Sequence, residues 1–133
     1  MLPARFSSLG TLLDRVAIAC RSAGLDRDCR RRAELALEEL FANTIHHAYR
    51  GESDRPVWLS VGATRVCLFI EYQDAGSHFD PLMSADRGAA GAGPEVLLGG
   101  QGLELIKALA TVSSYRRQKE RNVVRLEFAS RMT

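Results

Sequence analysis

The hydrophobic period of the chain changes once, near residue 55, and that change limits the folds open to it. Before it, Leu9, Leu12, Leu13, Val16, Ala17 and Cys20 keep the i, i+3, i+4, i+7 spacing of an amphipathic helix. Ser7 or Ser8 is placed to cap this helix and Gly24 to end it. A longer helix follows, with Asp26 or Asp28 at its start, and runs to about Tyr49. Its apolar stripe is Ala33, Leu37, Leu40, Phe41, Thr44, Ile45 and Ala48. Gly51 is a stop signal, and residues 52–56 make a polar connection. After it, Val57, Leu59 and Val61 alternate, as do Val66, Leu68, Ile70 and Tyr72; the short link 62–65 predicts an antiparallel hairpin.

Residues 75–102 carry no period and hold seven of the chain's 11 glycines. A loop this long inside a small domain is usually functional or disordered. A third helix is expected from Leu103 to about Ala110. Two further strands, near 112–117 and 123–129, are joined by a basic turn, with Val124, Leu126 and Phe128 on one face. The order α-α-β-β-loop-α-β-β predicts an α+β fold: a two-layer α/β sandwich. Its mixed, mainly antiparallel sheet has four to five strands and carries three helices on one face. The 133 residues suit one domain spanning the whole chain.

Composition excludes several classes. Apolar residues make up 46% and charged residues 26%, which is a globular balance and not that of a disordered chain. The net charge of +2 is too small to argue for a nucleic-acid binder by itself. No apolar run is long enough to span a membrane. Asp14 and Arg15 interrupt the only apolar stretch that resembles a secretory signal. Cys20, Cys29 and Cys67 show no paired spacing and read as free thiols, with Cys20 and Cys67 in apolar, buried runs. A cytoplasmic protein is expected.

Three short segments carry chemistry. In the second helix, Glu39, Asn43 and His47 recur every fourth residue along the edge of the apolar face, while Glu38 points toward solvent. They read either as polar residues flanking a core stripe or as a base and a metal-positioning amide held one turn apart. In YQDAGSHFDP, Asp74 follows a strand and Gly76 comes two residues later. This is either a plain turn or a carboxylate that accepts a hydrogen bond from an exocyclic amine such as that of adenine, with Gly76 letting the backbone pass close to the ring. In LLGGQGLELIKAL, a glycine-rich loop opens a helix, where free N–H groups and the helix dipole favour an anion. The spacing fits neither a P-loop nor a dinucleotide fingerprint.

Taken in order, E-x-x-x-N on a long helix, D-x-G after a hairpin strand, and G-x-G-L before a helix resemble the GHKL (Bergerat) ATP-binding fold, over nearly the whole chain. EELFANTIHHAY, DAGSHFDP, GGQGLELIKAL and NVVRLEF are similar to the stand-alone anti-sigma-factor serine/threonine kinases of bacterial stress-response and sporulation switches. The resemblance implies ATP and Mg2+ as cofactors. It implies Glu39 as general base, Asn43 as magnesium ligand, and Asp74 with Gly76 at the adenine. It implies Gly100, Gly102 and Leu103 near the phosphates, and residues 82–98 as an ATP lid. It further implies a sigma factor and a small antagonist protein as partners, and a homodimer.

The chain departs from that pattern in three places. Leu98 stands where some relatives carry an arginine that contacts the terminal phosphate, with Arg87 or Lys107 as candidates to replace it. Only Met1 to Phe6 are available for a first strand, which is therefore short or absent, and an edge left open in this way is available for pairing with another chain. The lid stretch RGAAGAG is rich in Gly and Ala, which predicts mobility without ligand. Adjacent His46 and His47 point about 100° apart, so a structural or capping role suits them better than one shared metal. The clusters CRRR and YRRQKER read as solvated surface, the first with a hint of an acidic partner. Three functions compete: a kinase acting on the antagonist, an ATP-gated anti-sigma factor with little or no transfer, and, with least support, a nucleic-acid binder.

Overall fold

Pro56 opens the sheet where the helical period stops. A computed structural model describes residues 1–78 and 105–131. Its elements are β1 (Leu2–Pro3), a 3-10 turn (Phe6–Ser8), α1 (Leu9–Ala23), α2 (Arg27–Asn43), a π turn (Thr44–Ala48), β2 (Pro56–Ala63) and β3 (Cys67–Asp74). After these come α3, described over 105–109, β4 (Val112–Gln118) and β5 (Arg121–Ala129). The strands lie in the order β1-β2-β3-β5-β4, and every described ladder is antiparallel. The mixed sheet expected from the sequence calls for a parallel pair, which the connection through the third helix could supply. It does not form because β5 inserts between β3 and β4.

Alternation along the strands sets the two faces. Leu68, Ile70, Tyr72 and Asp74 of β3 are buried, and Val124, Leu126 and Phe128 of β5 join them beneath the helices. Leu12, Val16 and Cys20 of α1 and Ala33, Leu37, Leu40 and Phe41 of α2 fill the other side of this core. Val66, expected in the alternating set, lies in the hairpin link and is 68% exposed. There the Thr64 hydroxyl accepts the N–H groups of Val66 and Cys67.

The helix ends differ in part from expectation. Gly24 closes α1 in the left-handed conformation (φ 75°), with Leu25 N–H bonded to the Cys20 carbonyl. Neither serine caps α1 through its side chain, because the 3-10 turn has already put Ser8 into helical backbone. Asp26 holds the N-cap position of α2, but its carboxylate accepts the Ser130 hydroxyl instead of a helix N–H. Asp28, in the first turn, pairs with Arg32 at 2.9 Å.

Arg32 itself is buried. Its guanidinium donates to the carbonyls of Leu109 and Ala129, tying the start of α2 to the ends of α3 and β5. This corrects the surface reading of that arginine. Cys67 is half-buried on the outer sheet face, whereas Cys20 and Cys29 lie in the core. All three thiols are free. Burial pushes the Cys29 thiol up to about 11.

Candidate active site

The regular α-helix stops at Asn43. From Thr44 to Ala48 the chain makes a π turn, with Tyr49 N–H reaching back five residues to the Thr44 carbonyl at 2.9 Å. Single π turns inside α-helices occur often at functional sites. Here the turn buries Thr44, Ile45 and Ala48 and leaves His46 and His47 exposed. His47 therefore leaves the stripe expected for it with Glu39 and Asn43. It lines a separate recess with His46, Arg50, Ser77 and His78.

Asn43 and Asp74 share a crevice. Leu40 and Val124 make its apolar part, and Thr44, Tyr72 and Asn122 complete its polar part. Its free volume is about 10 Å3, the room of a single water. The described residues thus do not enclose a ligand-sized cavity here. Glu39 lies one turn before Asn43 and is half-buried. Gly100, Gly102, Leu103, Leu98, Arg87 and the lid segment 82–98 lie outside the described residues.

Asp74 is held from three sides. One carboxylate oxygen accepts the Thr44 hydroxyl at 2.9 Å. The other accepts the Asn122 amide at 2.8 Å and the Gly76 N–H at 3.0 Å. Because Thr44 donates to Asp74, the Tyr72 hydroxyl, 2.6 Å away, must donate to Thr44. Burial raises the Tyr72 hydroxyl well above its ordinary value, which keeps that donor protonated. A carboxylate offers about four acceptor positions. Three are taken, so about one remains for a donor on a ligand.

The turn after Asp74 is equally constrained. Ala75 N–H donates to the Tyr49 hydroxyl at 2.7 Å, which in turn donates to the Pro56 carbonyl. Arg55 lies over the Tyr49 ring, 4.2 Å from its centroid, and donates to the Ala75 carbonyl. Arg117 donates to the Gly76 carbonyl at 2.7 Å, and the Asn122 amide reaches the Ser77 carbonyl. A Cβ on Gly76 would stand 2.5 Å from the Ala48 Cβ and 2.7 Å from the Ala48 carbonyl oxygen. The close approach that Gly76 permits is thus to the end of the π turn.

Asn43 is the opposite case. Among the described residues its buried side-chain nitrogen has no hydrogen-bond partner, and the residue is only 8% exposed. Leaving a buried polar atom unpaired costs about 1–3 kcal/mol. Such an atom beside a crevice is a site for an absent partner.

Sequence reasoning missed Tyr49, Arg55, Arg117 and Asn122. The last is 48 residues from the carboxylate that it holds, and no local spacing reports such a contact. The basic turn is largely engaged on the outer sheet face. There Arg121 stacks 3.6 Å from the Trp58 centroid, while Arg116 and Arg125 each approach Glu71 at 3.7 Å.

An open antiparallel sheet under helices, with an acid and an amide meeting in a crevice beneath a helix end, defines a nucleotide-binding protein of the GHKL type. The family model of the histidine kinase-like ATPase domain matches residues 2–128. The chain belongs to that family, and ATP is the ligand that the family implies. No curated protein matches the chain. Among the described residues, no helix is long and apolar enough to cross a membrane.

Proposed function

We propose that the chain is an anti-sigma factor and an ATP-dependent serine/threonine kinase that phosphorylates a small antagonist protein in a partner-switching module. The observation that supports this reading is the Asn43 amide nitrogen, without a partner among the described residues, one helical turn from Glu39 and in the same crevice as Asp74. Asp74 accepts the exocyclic amine of adenine at its remaining acceptor position. The orphaned Asn43 nitrogen is a donor, which a phosphate oxygen would satisfy; the side-chain oxygen of the same amide is of the type that Mg2+ takes, and would hold the ion together with substrate phosphates. Bound there, the ion would neutralise phosphate charge.

Glu39 takes the proton of the accepting Ser or Thr hydroxyl. The hydroxyl oxygen bonds to the terminal phosphorus as the bond to the bridging oxygen breaks, and ADP leaves with that electron pair. A base placed in this way contributes about 10²–10⁴-fold. The sigma factor, the antagonist and the homodimer enter through the sequence resemblance alone; a cytoplasmic location rests on the unpaired cysteines and on the lack of a spanning run or a signal-like start in the sequence.

Phosphotransfer from labelled ATP to a candidate antagonist tests the reading. Glu39→Ala is expected to retain ATP binding and lose transfer by at least about 100-fold. Equal transfer by wild type and variant removes the kinase assignment. Leu98, in place of an arginine, favours the second reading, an ATP-gated anti-sigma factor with little or no transfer. ATP-dependent sigma binding without phosphorylation would select it.

A further inference from the structure

Alternation gathers a second polar cluster on the sheet face away from the helices. Asp74 and Asn122 line the crevice, so their neighbours Gln73, Arg121 and Val123 point the other way. Pairing lines up a row across that outer face: Arg116 opposite Val123, Val123 opposite Gln73, and Gln73 opposite Trp58. Gln118 stands opposite Arg121 beside it. Arg116, Gln118, Lys119 and Arg121 of the β4–β5 hairpin, with Glu71 and Gln73 of β3, surround a recess of about 410 Å3, and the buried Val123 lies between them.

Three cations border this recess against one carboxylate. Glu71 is already shared: Arg116 and Arg125 each approach it at 3.7 Å, beyond hydrogen-bond range. Arg116 Nε donates to the Gln118 amide oxygen at 2.7 Å, and Arg121 donates to the Gln73 amide oxygen at 3.3 Å. A guanidinium has five N–H groups, so most donors of both arginines remain for another acceptor. Arg121 is also stacked, its central carbon 3.6 Å from the Trp58 centroid. Stacking fixes the plane of a guanidinium and leaves its edge free to donate. Lys119 makes no hydrogen bond or ion pair among the described residues. It stands in a two-residue turn whose members, Lys119 (φ 49°) and Glu120 (φ 65°), are both left-handed. Asn and Gly are the residues suited to such a turn. A long cation there strains the backbone and adds an ammonium to the same recess as the two arginines.

We propose that this recess binds a phosphate monoester, on the sheet face opposite the nucleotide crevice. A monoester carries nearly two negative charges at neutral pH and three terminal oxygens, which accept from Arg116, Lys119 and Arg121 together. A single carboxylate would leave two of the three cations unmatched. Nucleic-acid phosphates carry one charge each and follow one another along a strand, which calls for cations in a line; here they border one hollow. A bare phosphate does not fill the recess. Val123 and the side chains of Gln73 and Gln118 border the remainder, where the organic part of the ester lies. The site does not depend on whether phosphate is transferred in the crevice.

Trp58 is the only tryptophan of the chain, so its emission reports this recess. Orthophosphate and a short phosphoserine peptide are titrated into the full chain at constant ionic strength, followed by Trp58 emission and by calorimetry. The expected result is a saturable change with both. Tighter binding of the peptide assigns the ester to a protein side chain, and equal binding assigns it to a free phosphate compound. Lys119→Gln, at an exposed position, should fold and weaken binding about tenfold. Glu71→Gln keeps the oxygen that accepts from Gln73 and removes the competing charge, so it should tighten binding about threefold. Phosphate that entered the nucleotide crevice instead would respond to neither substitution. Absence of a saturable signal, or an affinity that either variant leaves unchanged, overturns the proposal. So does a single-stranded oligonucleotide that binds the recess more tightly than both monoesters.

Discussion

Two polar side chains face the same crevice and are treated in opposite ways. Asp74 is held by Thr44, Asn122 and Gly76, with Tyr72, Tyr49, Arg55 and Arg117 behind them. Asn43, one residue before Thr44, leaves its amide nitrogen unpaired. A fully satisfied polar group is rigid before any ligand arrives, whereas an unsatisfied one gains its partner on binding. The carboxylate corner is thus fixed before any ligand arrives, as the proposed adenine-reading role requires, whereas the proposed phosphate side keeps an amide donor open.

The contrast breaks most visibly at Asp74. Asp74→Ala strands three buried donors, and a loss of about 3 kcal/mol in folding stability is expected, measured by urea unfolding, together with loss of ATP binding by calorimetry. Unchanged unfolding would mean that the corner is not the rigid half. Gly76→Ala comes next. Its methyl group meets the Ala48 backbone, which cannot give way like a side-chain end. A loss of about 1–3 kcal/mol is expected in the same unfolding experiment. Asn43→Ala sharpens the comparison from the other side. Folding stability should change by less than about 1 kcal/mol, because no hydrogen bond of the amide nitrogen is lost, while magnesium-dependent ATP affinity falls about tenfold or more. A large loss of stability, with affinity kept, would reverse the roles assigned to the two residues.

Much of the fold was legible because it rests on short-range pattern. The helical spacing, most of the strand alternation and Gly24 report a local backbone preference and lie where they were expected, whereas the hairpin link falls at 64–66 and takes Val66 out of the strand. The Asp74–Gly76 pair was legible as a turn with chemistry. Its support was not, since Asn122 and Arg117 come from strands far along the chain. The π turn was also hidden. The stripe Leu40, Phe41, Thr44, Ile45 and Ala48 reads equally well at α or π spacing over one turn, and only His47, displaced from its expected stripe, records the difference. The first strand, expected to be short or absent, is present with two residues, Leu2–Pro3.

A π turn has the form of an α-helix that has taken in one additional residue. Thr44 and Ala48 stand at its two ends, the first against Asp74 and the second against Gly76. Deleting one residue between them would restore an ordinary spiral and leave its hydrophobic character almost intact. The chain beyond would then arrive about 100° out of phase. Helix and hairpin would still pack, but the clasp between them would be gone. In that sense the length of this one turn, and not its composition, keeps the two halves of the pocket in step.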